Sequence, residues 1–151
     1  PAAFVLAVDI SPAAVQAART NAARHGVGER VTVIEGDLFA AVEDGRLFAA
    51  VVANPPYIPG HALAGLPREV KEYEPREALD GGPDGLSVIR RIVHEAPCYL
   101  FPGGILALEH GHDQGEAVAA LAAEAGLVEI ETQKDLSGRP RILLAEKPGL
   151  S

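Results

Sequence analysis

Three apolar runs in the first third of the chain each stop abruptly at a polar residue. Phe4-Val5-Leu6-Ala7-Val8 closes at Asp9, Val31-Thr32-Val33-Ile34 at Glu35-Gly36-Asp37, and Phe48 to Ala53 at Asn54-Pro55-Pro56-Tyr57. Runs that are continuously apolar, and do not alternate, read as strands covered on both faces, the pattern of a parallel sheet. Between the first two, Ser11-Pro12 gives a helix start, with Ser as N-cap and Pro at the first helical position. Ala14, Val15, Ala18 and Ala22 then fall on one stripe before a stop near His25-Gly26. Strands alternating with helices at this spacing predict a doubly wound α/β sheet.

The second half begins with a break in periodicity. From Gly60 to Asp84 the chain is punctuated by Pro67, Pro75, Gly81, Gly82 and Pro83, which predicts a long loop with a short helix around Pro67 to Tyr73. Loops of more than about 15 residues inside a compact domain are usually lids or substrate surfaces, and Glu72 and Glu74 are assigned to that lid. Asp84-Gly85 then opens a helix carrying Leu86, Ile89, Ile92 and Val93, kinked or ended near Pro97. Gly103-Gly104 reads as a turn into a strand from Ile105 to Glu109, followed by an alanine-rich helix from Gly115 to Gly126. Strands over Leu127 to Gln133 and Arg141 to Ala145 are joined by only Lys134 to Pro140, which predicts an antiparallel hairpin.

Composition narrows the setting. With 151 residues, 48% of them hydrophobic and 23% charged, the chain reads as one globular domain. No apolar run approaches the roughly 20 residues that cross a bilayer, and the start has no basic leader, so a cytoplasmic, membrane-free location is expected. The single cysteine, Cys98, cannot form an internal disulfide and reads as inert packing in an apolar context. Acidic residues outnumber basic ones 21 to 13, a net charge of −8, which argues against direct nucleic-acid binding. Arg139, Arg141 and Lys147 read as solvated ends of elements. His110 and His112 lack a third ligand at suitable spacing and read as ordinary loop residues, so no metal is expected.

The chemistry concentrates at Asn54 to Pro59. Two prolines after a strand fix φ and withdraw two backbone donors, which makes a rigid corner with carbonyls that no neighbouring N–H is obliged to occupy. An Asn side-chain oxygen and a backbone carbonyl can accept both hydrogens of an NH2 group, and a phenol ring can stack on a flat neighbour. In an open α/β sheet ligands sit at the carboxyl ends of the strands, where Asp9, Asp37 and Asn54 all fall. A carboxylate such as Asp9 can accept both hydroxyls of a ribose, and Asp37 an exocyclic amino group of adenine. Singly, Asp9 as a loop acid and Asp37 as a turn residue serve as well. Together with Asn54 they form a line from an adenosine to an amino group.

These residues carry a resemblance over nearly the whole chain, from about Val5 to Glu146. The matching segments are Val8-Asp9-Ile10-Ser11, Gly36-Asp37-Leu38, Asn54 to Pro59, Tyr73-Glu74-Pro75 with Ala78-Leu79, Gly81-Gly82 with Asp84-Gly85-Leu86, and Pro102-Gly103-Gly104. Glu109 with Gly111 and Gln114, and Lys134-Asp135-Leu136 with Gly138-Arg139, complete the set. With these the sequence resembles the peptide chain release factor glutamine methyltransferases, a family of Rossmann-like, S-adenosylmethionine-dependent methyltransferases. The Asn-Pro-Pro-Tyr tetrad is shared with many amino-group methyltransferases, whereas Tyr73 to Leu86 and Asp135 to Arg141 look like the release-factor branch. Pro140 departs from that pattern, where an acidic residue is more usual.

The resemblance implies a mostly parallel sheet with a C-terminal antiparallel hairpin. It implies transfer of a methyl group from S-adenosylmethionine to the glutamine amide of the Gly-Gly-Gln tip of a class I release factor. Asn54, Pro55 and Tyr57 would be catalytic, and Pro56 would join them in binding substrate. Asp9, Ile10, Asp37, Leu38 and Asn54 would contact the cofactor, while Asp135 and Arg139 would stabilise the hairpin. The family's Gly-rich turn after a first strand, and its upstream helical domain, have no counterpart ahead of Phe4, and Pro1 is not an initiator Met. Residues 1–151 are therefore expected to be a partial catalytic domain lacking the first strand. Two other readings stand beside this one: an amino-group methyltransferase acting on adenine or guanine in DNA or RNA, and a non-catalytic remnant.

Overall fold

The computed structural model describes residues 3–149, so Pro1 lies outside the described residues. The chain divides into two compact units, residues 1–46 and 47–151. In the first, β1 (Val5–Asp9) pairs in parallel with β2 (Val31–Glu35), and α1 (Pro12–Arg24) connects them. The predicted start signal operates: Ser11 is the N-cap, its hydroxyl accepts from the Ala14 amide, and Pro12 opens the helix. Val15 and Ala22 of α1 are buried, as are Val33 of β2 and Phe39. Arg19 adds a polar tie, donating from Nε and Nη2 to the Val33 carbonyl at 3.1 and 2.8 Å.

The second unit holds β3 (Phe48–Ala53), α2 (Arg68–Tyr73), α3 (Ser87–Tyr99), β4 (Leu100–Glu109), α4 (Gly115–Glu124), β5 (Val128–Lys134) and β6 (Pro140–Glu146). Its sheet runs in the order β3, β4, β6, β5. The β3–β4 pair is parallel, and β6 is antiparallel to both of its neighbours. The expected hairpin therefore forms, and it folds so that its second strand lies against β4. Along β4, Leu106 and Leu108 are buried, while Ile105 before them is exposed and Ala107 between them is half-buried, the period-two signature of a sheet covered more on one face. Their partners across the ladder, Ala145 and Leu143, are buried as well. Ile89, Ile92, Val93 and Ala96 form the buried stripe of α3, and Val118 and Ala122 that of α4.

Helix α3 ends at Tyr99, two residues beyond Pro97 and so near where its end was expected. Two other local expectations are corrected. Strand β4 begins at Leu100, so Gly103-Gly104 lies inside it. There Gly103 takes φ +77 and the register with β3 shifts between Phe48 and Ala50, as a bulge requires. Cys98 is exposed on α3 and does not serve as core packing, because the buried stripe of that helix runs through Ile92, Val93 and Ala96. Among the described residues, no helix is long and apolar enough to cross a membrane.

Two leucines offer a matched test of this core, since Leu106 is fully buried and Leu136, in the β5–β6 turn, is fully exposed. Leu106→Ala is expected to destabilise the fold by about 2–5 kcal/mol, and Leu136→Ala by less than about 0.5 kcal/mol. Urea denaturation of both variants measures the contrast, and equal midpoints would contradict this packing.

Candidate active site

In the first unit, the sequence-predicted residues meet at one sheet edge. Asp9 ends β1, and its carbonyl accepts from the Gly36 amide at 3.0 Å, tying the carboxyl ends of the two strands together. Its side-chain Oδ1 accepts from the Ser11 amide at 2.8 Å, which fixes the carboxylate at the entry to α1. Ile10 is exposed, Asp37 is exposed just after β2, and Leu38 opens a 3-10 turn, Leu38–Ala41, with the unusual φ of +51. Gly36 is required here by close approach, because a Cβ would stand 2.1 Å from that of Ala41.

In the second unit, the corner grows from the end of β3. Asn54 is exposed, Pro55 buried, and Pro56 and Tyr57 half-buried. With two donors removed, the chain leaves the sheet and is held by other groups. The Ile58 amide donates to the Leu79 carbonyl at 3.0 Å, and the Gly81 amide to the Ile58 carbonyl at 2.9 Å. The Gly60 amide reaches the Gly82 carbonyl at 2.8 Å, so the predicted loop is a strap pinned at its base. Within it, α2 falls where the short helix was expected. Arg68 pairs with Glu72 on the outside.

The expectation of unoccupied carbonyls holds only in part. The Tyr57 carbonyl accepts from Gln114 Nε2 at 3.0 Å, and the Gln114 Oε1 accepts from the Gly111 amide at 2.8 Å. Gln114 is buried, so its amide is a fixed brace behind the corner. Gly85, at φ +76, lies against it: a Cβ there would come 2.4 Å from the Tyr57 carbonyl oxygen and 2.6 Å from Gln114 Nε2. Among the described residues, no hydrogen bond engages the Asn54 side chain. An open groove of about 460 Å³ adjoins the corner, lined among others by Pro56, Arg76, Asp80, Gly82 and Ser87.

Residues read from sequence as peripheral prove to be part of this construction. The Tyr57 hydroxyl donates to Glu109 Oε1 at 3.2 Å and accepts from Arg141 Nη1 at 2.6 Å. The Arg141 guanidinium lies 5.4 Å from the Tyr57 ring centroid, so Arg141 is not a solvated strand end. His110, expected to be an ordinary loop residue, is fully buried at the end of β4. Its Nδ1 lies 2.8 Å from the Gly111 carbonyl, and its Nε2 has no partner among the described residues. His112 is exposed, as a loop residue would be. Asp135 does organise the hairpin turn, accepting from the Ser137 amide and hydroxyl and from the Arg139 amide.

Three carboxylates around the corner are held below the ordinary aspartate range. The cause is the Gly82 amide and then Arg76 for Asp80, Arg90 and then the Leu86 amide for Asp84, and the Ser137 hydroxyl and then the Arg139 amide for Asp135. A depressed carboxylate stabilises the fold above its unfolded pKa, and that contribution is lost as the pH falls through the folded value. The amide resonances of Gly82, Leu86, Ser137 and Arg139 should therefore hold steady at neutral pH and move only below about pH 4. An NMR titration reads this, and movement between pH 5 and 7 would contradict the assignment.

Comparisons with known proteins bear on the fold and on the sequence as a whole. A methyltransferase from Pyrococcus furiosus superposes with a TM-score of 0.69 at 18% identity, over 96% of this chain and 63% of that one. A SAM-dependent O-methyltransferase from Thermotoga maritima gives a TM-score of 0.68 at 14% identity, over 98% of this chain and 51% of that one. The fold is thus the Rossmann-like α/β fold of S-adenosylmethionine-dependent methyltransferases, and the methyltransferase small domain family matches residues 1–66. In sequence, the release factor glutamine methyltransferase of Moorella thermoacetica is 51% identical over 146 residues, 96% of this chain and 51% of that protein. That of Geobacter sulfurreducens is 48% identical over 143 residues, 95% of this chain and 49% of that protein. Over nearly its whole length the chain is thus similar to curated release factor glutamine methyltransferases, and it spans about half the length of those relatives.

Proposed function

We propose that this chain carries the substrate corner of an enzyme that methylates a glutamine side-chain amide, the Gly-Gly-Gln glutamine of a class I release factor. The observation that carries the reading is the Asn54 to Tyr57 corner itself. It has an exposed Asn side chain with no hydrogen bond among the described residues, and it lies in a chain half identical to a release factor glutamine methyltransferase.

An amide nitrogen is a poor nucleophile because its lone pair is delocalised, so catalysis rests on orientation and on stabilising the charge that develops. Asn54 Oδ1 and the Pro55 carbonyl would accept the two N–H bonds of the glutamine amide, turning its lone pair outward from the corner. Tyr57 would pack on the amide plane, and Pro56 would border the groove that takes the neighbouring residues of the tip. S-adenosylmethionine, when bound, supplies an electrophilic sulfonium methyl. The first unit's residues suit its nucleoside part. Asp9 has one oxygen engaged by the Ser11 amide, which leaves the other for a ribose hydroxyl. Asp37 would accept the adenine amino group, with Ile10 and Leu38 as apolar neighbours. With the methyl's carbon–sulfur bond broken as the C–N bond forms, leaving a neutral thioether, the nitrogen would lose a proton to water, and no general base is needed for attack.

Incubation of the protein with S-adenosylmethionine and a class I release factor should add one methyl group to the glutamine, as read by mass spectrometry of the tip peptide. Asn54→Ala should slow this by about 100-fold or more, the scale on which loss of one preorganised polar group acts. Methylation of DNA or RNA, with the release factor left untouched, would overturn the reading.

A further inference from the structure

Tyr57 is gripped at both ends by residues that lie far from it in sequence. Its carbonyl is held by Gln114 at the start of α4, and its hydroxyl by Glu109 at the end of β4 and Arg141 in β6. The distances separate the partners of Arg141. Its contact with the phenol oxygen is 2.6 Å, a short hydrogen bond, whereas Glu109 Oε1 lies 3.8 Å away and Asp135 Oδ2 3.7 Å. The last two are ion-pair distances beyond hydrogen-bond range. The guanidinium is thus balanced electrostatically by two carboxylates and directed geometrically at Tyr57.

A guanidinium has donors only and stays charged, so towards Arg141 the phenol can only accept, and its hydrogen is left to point at Glu109. This fixes the hydroxyl rotor as well as the ring. The backbone reinforces the placement, since the His110 amide donates to the Arg141 carbonyl at 2.9 Å and joins the end of β4 to the start of β6. Arg141 is itself only about a quarter exposed, at 26%. An ion pair kept for stability alone would leave the shortest contact on a carboxylate, and partly exposed pairs add little to stability in any case.

We propose that Arg141 is a positioning residue for amide methylation, acting through the Tyr57 phenol to keep the ring in the one orientation that can cover the amide plane. The proposal rests on the corner being the glutamine site. Because a ring freed of its anchor spends less time in register with the reacting amide, the loss should appear in turnover, not in cofactor binding.

The complete protein with Arg141→Met, Arg141→Lys, Tyr57→Phe and the Arg141→Met/Tyr57→Phe pair tests this. Arg141→Met should lower kcat for the release factor by about 10- to 100-fold, within the cost of a small misplacement. The KM for S-adenosylmethionine and the Tm should change little, and Arg141→Lys, which keeps one donor, should recover part of the loss. The double variant should be no slower than Tyr57→Phe, since both changes break one contact. Additive losses, or a lowered Tm with kcat intact, would overturn the proposal. A readout independent of turnover comes from NMR of the protein with 13C-labelled tyrosine, of which residues 1–151 hold three. The Tyr57 ring signal, assigned by its loss in Tyr57→Phe, should shift or broaden in Arg141→Met, and an unchanged signal would also overturn the proposal. A shifted signal in a protein that leaves glutamine unmethylated would sink the functional reading while supporting the clamp.

Discussion

The two prolines that follow β3 withdraw two backbone donors in succession, and the second unit is arranged around that loss. A chain that cannot continue its ladder must turn out of the sheet, and the groups it then exposes need partners from elsewhere. The structure supplies them from three directions. The strap returns to pair Leu79 and Gly81 with Ile58, the start of α4 offers the Gln114 amide to the Tyr57 carbonyl, and β6 brings Arg141 to the phenol. Asn54 alone keeps its side chain exposed and free of hydrogen bonds among the described residues. A polar group left in that state beside rigid neighbours is already organised for an incoming ligand, which is how a preorganised site differs from a flexible one.

Glycine does related work at the same place. Gly85 sits where a Cβ would collide with both the Tyr57 carbonyl and the Gln114 amide, so the segment that follows the strap packs directly against the brace behind the corner. The Gly81-Gly82 pair and the depressed carboxylates of Asp80 and Asp84 hold the returning end of the strap by local bonds. The long segment is therefore pinned at its ends, with α2 and two short 3-10 turns between them.

What could be read from sequence follows from how local each signal is. The Ser11-Pro12 start, the end of β3 and the β5–β6 hairpin depend on residues a few positions apart, and each formed where expected. The roles of Arg141, Gln114 and His110 depend on sheet order. An arginine at the start of a last strand looks like a solvated terminus until β6 is known to lie beside β4, with Glu109 opposite Ile142. Likewise His110 follows the strand end in sequence, yet its ring is enclosed. Hints existed in the polar residues at the end of an otherwise apolar strand, Glu109 and His110, but nothing local says which distant side chain answers them. Cys98 failed for a similar reason, since apolar neighbours in sequence do not tell which side of a helix faces the core.

On this reading the exposed Asn54 side chain and the Pro55 carbonyl form a receptor for an amide NH2. A crystal structure of the protein with S-adenosylhomocysteine and a peptide containing Gly-Gly-Gln measures this directly. The glutamine amide nitrogen is expected at about 3 Å from both Asn54 Oδ1 and the Pro55 oxygen, a hydrogen-bond distance, with the Tyr57 ring against the amide plane. A glutamine bound elsewhere, with Asn54 still facing solvent, would contradict it.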